Sequence, residues 1–496
     1  MKKMIIAGLV AASCLWGKAG AAPYGEQETG AAVDLSLAES VQMALDTDES
    51  IGASEDGRDA AKWQLSSARR GAGPIVDWSS RALRLGGRDY ESRKLMRELL
   101  GDDANAYNNT FSNSWTLTIP IYTGGQREGQ IDSARYQLNQ ADLDLENTRQ
   151  QVRFRAAEAY ANLLHRENLQ RIAEEAVDMG NTQLKLISDQ YSEGMVAKAD
   201  VLMMEVRLAN YRQNLSSAKG AVNVARSTLA SVVGLPQDSV VSPTDIFTYE
   251  PYPRDLPACE DYALAHRPDG LSADYAVKAA QAQQDAAKAG YRPRVTGTAG
   301  QNISSNIPFR SERSNGWEAG ISVNWSVFDN GVTSANVKRA GALVEQAKKS
   351  AARTQKTIRL ETRTAYIQMK TAEENIHAAA AAVKQAEESY IIAQVRYEEG
   401  VDILLSVTDA QEKLTQARSN YSTALYQYNL YRATLEKAMG VPVGFDAALY
   451  AEAERKGAAA NGALQAAAVK DSPVKEKNDT EKVLDAGAVG QEFAGK

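Results

Sequence analysis

Two cysteines in 496 residues leave almost no scope for a disulfide framework, and one of them, Cys14, lies in a segment read below as a secretion signal. If that segment is removed, Cys259 stands alone, no intrachain disulfide can form, and stability must come from packing or from association of chains. Histidine is almost as scarce. His165, His266 and His377 are far apart, and two of them fall on predicted helix surfaces, where a lone histidine is ordinarily solvated. The chain has no phosphate-binding loop, zinc-ligand spacing or nucleophile elbow. Neighbouring carboxylates such as Glu387 and Glu388 read as solvated helix faces. No catalytic residue, metal site or cofactor is therefore expected, and the chain does not read as an enzyme. Beyond the N-terminus there is no run of about eighteen apolar residues, which excludes a helical transmembrane protein. Basic excess is missing too: the net charge of -7 argues against a nucleic-acid partner, because phosphate binding needs a concentrated Lys/Arg surface. Aromatics are only 7% against 44% hydrophobic residues. Abundant alanine together with charge suits long packed helices.

What is present begins with a secretory signal, residues 1–21. Lys2 and Lys3 precede an apolar stretch from Met4 to Trp16, and Ala19-Gly20-Ala21 supplies a small-x-small cleavage site. Cleavage is placed after Ala21, since cutting one residue later would set Pro23 directly after the bond. Cys14 supports a rival lipoprotein reading, but the preceding Ala11-Ala12-Ser13 lacks the usual leucine.

A long internal repeat organises the rest. Tyr191-Ser192-Glu193-Gly194 recurs as Tyr397-Glu398-Glu399-Gly400, and Gly234-Leu235-Pro236 as Gly440-Val441-Pro442; 397 − 191 and 442 − 236 both equal 206. The same offset pairs Tyr122 with Phe328, Gly125 with Gly331 and Tyr160 with Tyr366, so the copies align without a gap from Ile121 to Pro236. Upstream, Gly71 and Pro74 match Gly290 and Pro293 at an offset of 219, and 219 − 206 leaves 13 extra residues in the first copy, around Arg88 to Asn109.

Each copy opens with a helix, Leu35 to about Ala68 and Ala258 to about Ala289, ended by glycine and proline. Two strands follow. Trp317, Ala319, Ile321, Val323, Trp325 and Val327 are apolar at every second position, with Glu318, Ser322, Asn324 and Ser326 between them. Trp115, Leu117, Ile119 and Ile121 do the same in the first copy, and this period of two is the strand signature. Partner strands are placed near Ile75 to Leu85 and Arg294 to Ser304. Turns at Thr123-Gly124-Gly125 and Asp329-Asn330-Gly331 then launch proline-free helices from about Gln126 to Tyr191 and Val332 to Tyr397, each roughly 100 Å long at ~1.5 Å per residue. Seam residues such as Ile358, Thr362, Ala365, Met369, Ala372 and Ile376 step by four and three, the under-wound spacing of a coiled coil. The returning helices keep it through Val407, Ala410, Leu414 and Ala417, and through Met204, Leu208, Tyr211 and Leu215.

The resulting divisions are 22–73 (first helix), 74–122 (first β-hairpin), 123–235 (first long hairpin, tip 191–200) and 236–257 (irregular segment). They continue with 258–292 (second helix), 293–328 (second β-hairpin), 329–441 (second long hairpin, tip 397–406) and 442–496, an end segment with a disordered tail. The fold class is mainly α with a transmembrane β part. Four amphipathic strands cannot persist in lipid as an open sheet, because each unpaired edge group costs several kcal/mol. They must close with strands of other copies, and a minimum of about eight strands allows two, three or more subunits.

The elbow after each strand pair, the Tyr-x-x-Gly turns, the Gly-x-Pro ends and the gapless duplication together resemble the TolC family over about Leu35 to Phe445. The resemblance implies a homotrimer with a 12-stranded barrel among outer-membrane lipids and a periplasmic tunnel of twelve helices. It also implies a periplasmic adaptor (membrane fusion protein) and an inner-membrane pump as partners. It assigns Tyr191, Gly194, Met195, Val196, Gly400 and Val401 to adaptor-docking tips, and Asp200, Tyr397 and Asp409 to the pore gate, with Tyr397 bonding to Asp200. Ser406 stands where a second gate acid is expected and Asp402 where a gating arginine is expected. Plainer readings stand beside these: Asp200 as a helix N-cap, Ser406 and Asp409 as a Ser-x-x-Asp capping box, Tyr397 as a seam residue, and both glycines as turn residues. A periplasmic adaptor and a structural coiled-coil rod are the competing classes. An adaptor would carry one hairpin, and a rod would not need Trp-bearing strands.

Overall fold

The computed structural model describes residues 33–71, 73–84, 86–100, 109–236, 238–305 and 314–441. The signal segment and the expected disordered tail lie outside the described residues.

The chain starts with β1 (Val33–Leu35), which pairs in parallel with β4 (Val241–Pro243) from the irregular segment between the repeats. Leu35, expected to begin a helix, belongs to this strand, and the helix starts two residues later as α1 (Leu37–Thr47). Ser36 is the reason: its hydroxyl accepts from the Glu39 N–H while Glu39 reaches back to the Ser36 N–H, a capping box. The expected single helix also breaks at Asp48, whose extended backbone separates α1 from α2 (Glu49–Arg70) and whose carboxylate caps α2 through the Ser50 N–H. In the second copy the break falls at Arg267, ahead of Pro268, between α6 (Leu256–His266) and α7 (Pro268–Lys288). Proline has no N–H to continue α6, yet fits the first turn of α7.

Four strands form one antiparallel sheet in the order β2-β3-β5-β6: β2 (Ile75–Arg84), β3 (Asn109–Tyr122), β5 (Arg294–Ser305) and β6 (Ser314–Asn324). The ladder of β6 stops at Asn324, so Trp325 and Val327 continue the alternation outside the sheet; the Trp325 indole donates to the Tyr291 carbonyl at 3.2 Å. The extra residues of the first copy hold α3 (Arg88–Leu100), a helix that the reading of this stretch as merely polar did not anticipate.

The long helices repeat to the residue. α4 (Gln126–Ser192) and α8 (Val332–Glu398) each have 67 residues, and α5 (Lys198–Val232) and α9 (Leu404–Ala438) each have 35. Gly125 and Gly331 precede them with positive φ of 95° and 83°, a conformation costly for residues with a Cβ. On α8 the seam from Ile358 to Ile376 is buried against Ala424, Tyr428, Leu435 and Ala438 of α9, and nearer the tip Val407, Ala410, Leu414 and Ala417 of α9 are buried too. The described residues form four apolar clusters, the first two at equivalent levels of the two repeats, the third at the tips and a fourth around Ile51, Leu145 and Val152. One surrounds Tyr160, Leu163 and Leu229 beside the β1–β4 pair; a second holds Met369, Tyr428 and Met439; a third holds Ile187, Met204, Leu208 and Leu404 near the tips. Cys259 is fully buried in the second, and burial pushes its thiol up to about 11, which keeps it a packing group.

Candidate channel wall and helical tips

Register decides what each face of the sheet presents. Starting from β6, Val323, Ile321, Ala319 and Trp317 pair with Val295, Gly297, Ala299 and Gln301 of β5. These in turn face Tyr122, Ile119, Leu117 and Trp115 of β3, and Leu117 and Trp115 face Val76 and Trp78 of β2. One face is thus apolar across all four strands. The other carries Asp77, Ser79, Thr116, Thr118, Thr298, Glu318 and Ser322, with Ser79 and Ser114 hydrogen-bonded at 2.7 Å. Trp317 is 82% exposed and Ile321 71% exposed, so among the described residues nothing covers the apolar face there. Strands β2 and β6 each have only one neighbour among the described residues.

At the opposite end each hairpin turns in the same way. Gly194, with φ 76°, donates to the Tyr191 carbonyl, and Met195 reaches back to Gln190; Gly400, with φ 72°, donates to Tyr397, and Val401 to Arg396. The positive φ alone demands glycine here, since a Cβ at either position would meet open space. Tyr191, Met195 and Val401 are exposed, while Val196 tucks against the apolar cluster at the tip.

The residues assigned to the gate by resemblance are only partly brought together. Tyr397 does not bond to Asp200 in the protomer; its hydroxyl donates to Gln190 Oε1 at 2.9 Å. Asp200 is near enough for its charge to add to burial in raising the Tyr397 pKa. Nor is Asp200 the N-cap of α5. Ala197 holds that position, and Asp200 sits in the first helical turn, where a carboxylate favours the positive end of the helix dipole. The Ser406–Asp409 capping box does not form either. Ile403 is the N-cap of α9, with no side-chain cap bond, and Asp402 accepts from the Ile403 N–H at 2.9 Å and from the Ser406 hydroxyl at 2.7 Å, bonds that hold its carboxyl below the usual range. Arg396 Nε lies 3.3 Å from the other Asp402 oxygen.

Asp409 meets a residue that the sequence did not single out. Arg207, on α5, lies 3.5 Å from Asp409 and 2.6 Å from Glu412, both on α9. Together with Tyr397–Gln190, this clips one hairpin to the other near the tip. Gln190 and Arg207 were missed because no local motif marks them; each is defined by a partner about two hundred residues away. Further from the tip, Arg418 spans Glu175 of α4 and Glu387 of α8 at 3.0 and 2.9 Å. His165 departs from its expected solvated position: it is buried and stacks on Tyr426 of α9 at 4.6 Å. Among the described residues no group of histidine, cysteine and carboxylates is placed to hold a metal ion.

An open sheet, apolar on one face and polar on the other, mounted on two hairpins whose long arms run about 100 Å, has the form of one wall segment of a membrane-spanning duct. The chain belongs to the outer membrane efflux protein family, whose model matches residues 40–235 and 261–441. It is similar to the pyoverdine export outer membrane protein OpmQ of Pseudomonas aeruginosa, 23% identical over 66% of this chain and 70% of that protein. The outer membrane protein TolC of Escherichia coli is 23% identical over 68% of this chain and 71% of its own length. Among solved structures, CusC superposes with a TM-score of 0.71 at 18% identity, covering 83% of this chain and 94% of that one. The Campylobacter jejuni outer membrane channel CmeC does so at 0.70 and 18%, covering 85% and 89%. The chain is accordingly an outer-membrane efflux channel subunit with a long periplasmic helical part, and its family and structural neighbours are channels, not enzymes.

Proposed function

We propose that three copies of this chain close a barrel of twelve strands, four from each, and continue it into a helical tunnel that carries substrates passively from a periplasmic adaptor and an inner-membrane pump. The observation that carries this is the open sheet. Among the described residues its edges β2 and β6 are unpaired and its apolar face is bare, and lipid tolerates neither a free edge nor an unclosed sheet. Pairing β6 of one copy with β2 of the next satisfies both. The turns at Gly194 and Gly400, with exposed Tyr191, Met195 and Val401 and half-buried Val196, are the surfaces offered to the adaptor. Tyr397 with Gln190, Asp200 beside them, and Asp409 with Arg207 form the contacts that hold the tips in their resting arrangement. Purified protein in detergent is expected to be a trimer by light scattering and by cross-linking; a stable, folded monomer under those conditions would sink the architecture.

A further inference from the structure

Trp78, Trp115 and Trp317 come from three different strands, yet they fall on one row. Trp78 pairs with Trp115, Trp115 with Gln301, and Gln301 with Trp317, all on the apolar face. Their rings are exposed by 56%, 53% and 82%, and the Trp78 and Trp115 rings lie 6.1 Å apart.

The row divides the face chemically. Towards the helices, the next rows are Val76, Leu117, Ala299 and Ala319, then Ile119, Gly297 and Ile321, then Tyr122, Val295 and Val323. The only polar group among them is the Tyr122 hydroxyl, at the end nearest the helices. In the other direction come Ser80, Asn113, Ile303 and Asn315, then Ala82, Phe111 and Ser305, then Arg84 and Asn109. Gln301, within the row, donates to Asn315 Oδ1 at 2.8 Å, so the first polar side chains of this face satisfy one another at the boundary. At the helical end Trp325, Tyr122 and Tyr291 are again exposed aromatics. From Trp317 to Trp325, strand rise and a tilt of ~40° give a height of about 20 Å, comparable with the ~25 Å apolar band of barrels in this membrane.

We propose that Trp78, Trp115 and Trp317 form a lipid-headgroup contact that fixes the level at which the outer surface of the bilayer meets the barrel. An indole has an apolar body and one N–H donor, so it is most stable where acyl chains give way to phosphate, ester and sugar oxygens. The proposal rests on the outward, lipid-facing reading of this face. Its consequence is a measure of protrusion. Strand β2 runs on from Trp78 to Arg84, about 15 Å above the boundary after tilt, so α3 stands clear of the acyl chains.

The test uses the full chain in phosphatidylcholine vesicles carrying nitroxide quenchers either near the headgroup or near the acyl-chain end. In a Trp16→Phe/Trp63→Phe/Trp325→Phe background the emission comes from the row alone, and a greater loss is expected with the shallow quencher. A second variant replaces the row with phenylalanine as well and adds Ile321→Trp, for which the deep quencher should cause the greater loss. Greater loss from the row with the deep quencher, or loss only to aqueous iodide, overturns the proposal while leaving the lipid face intact. If Ile321→Trp responds to neither lipid quencher, the lipid-facing reading itself fails and the proposal falls with it.

Discussion

Tyr397 and Gln190 lie on the two longest helices, α8 and α4, and the phenol of one donates to the amide oxygen of the other across 2.9 Å at the tip. Each such bond contributes about 0.5 to 1.5 kcal/mol net, and in the proposed trimer three copies would act together. Tyr397→Phe and Gln190→Leu should both raise resting conductance in planar bilayers, with Asp200→Ala having the smaller effect. Equal, unchanged conductance in the first two would make Tyr397 only a seam residue.

Arg207 places a positive charge between Asp409 and Glu412, leaving one net negative charge from the three groups. The carboxylates are more than half exposed, so the pairing is worth no more than about 1 kcal/mol of stability. The electrical effect is the larger one. Arg207→Gln should strengthen cation selectivity and block by divalent cations, and Asp409→Ala should weaken both. Reversal potentials in a salt gradient, with and without added divalent cation, read the difference. Unchanged selectivity in Asp409→Ala places that residue outside the pore.

On the lipid face, Ile321→Arg or Val323→Arg should impair insertion by about 2 to 4 kcal/mol near the bilayer midplane, whereas Ser322→Arg and Asn324→Arg should cost less. Heat-resistant trimer recovered from membranes provides the measure. Equal tolerance on both faces would mean the register rows have been assigned to the wrong sides.

His165 is 6% exposed, and burial, assisted by the neighbouring Arg166 charge, lowers its pKa to about 4 from an ordinary 6.5. A histidine depressed in the folded state adds stability that is present above the unfolded pKa and is lost as pH falls towards the folded one. Between pH 6.5 and about 4 the loss should reach at most about 3 kcal/mol per site. His165→Phe keeps the stacking on Tyr426 and removes the titration, so its melting temperature should vary less over that range. Parallel pH profiles for the two proteins would rule the effect out.

Glycine is tested by a pair. A Cβ on Gly129 would lie 2.7 Å from both the Ala282 carbonyl oxygen and the Ala286 nitrogen of α7, whereas one on Gly220 would meet nothing within 4 Å in the protomer. Ala gains about 1 kcal/mol over Gly inside a helix, but overpacking costs about 1 to 3. Gly129→Ala should therefore lower the thermal midpoint and Gly220→Ala should raise it slightly.

The parts of this fold that were legible are those written in long, regular patterns. Period-two alternation located β6 because one of its faces is apolar and the other polar, and the missing prolines gave α4 and α8 their length. The duplication carried the fold class. What stayed hidden depends on few residues or distant ones. The β1–β4 pair is three residues long on each side and parallel, too short to show a period. The helix α3 mixes Leu95, Met96 and Leu99 with charge on almost every other turn position, which reads as a loop. At the tips, Tyr397 and Asp409 were found by resemblance, but their partners Gln190 and Arg207 are set by how the hairpins pack, and Ala197 and Ile403 hold the N-cap positions through local turn geometry.

The thirteen residues of α3 also alter the symmetry of the proposed assembly. Two hairpins with equal helix lengths in every protomer give the tunnel end six near-equivalent tips, so a partner docking there meets an almost sixfold surface. The outward end cannot offer that. The β2–β3 connection, which holds α3, is longer than the β5–β6 connection, so in the proposed trimer equivalence at that end drops to threefold. In the proposed trimer, ligands approaching from outside the cell would meet three equivalent positions, and those approaching from the periplasm six near-equivalent ones.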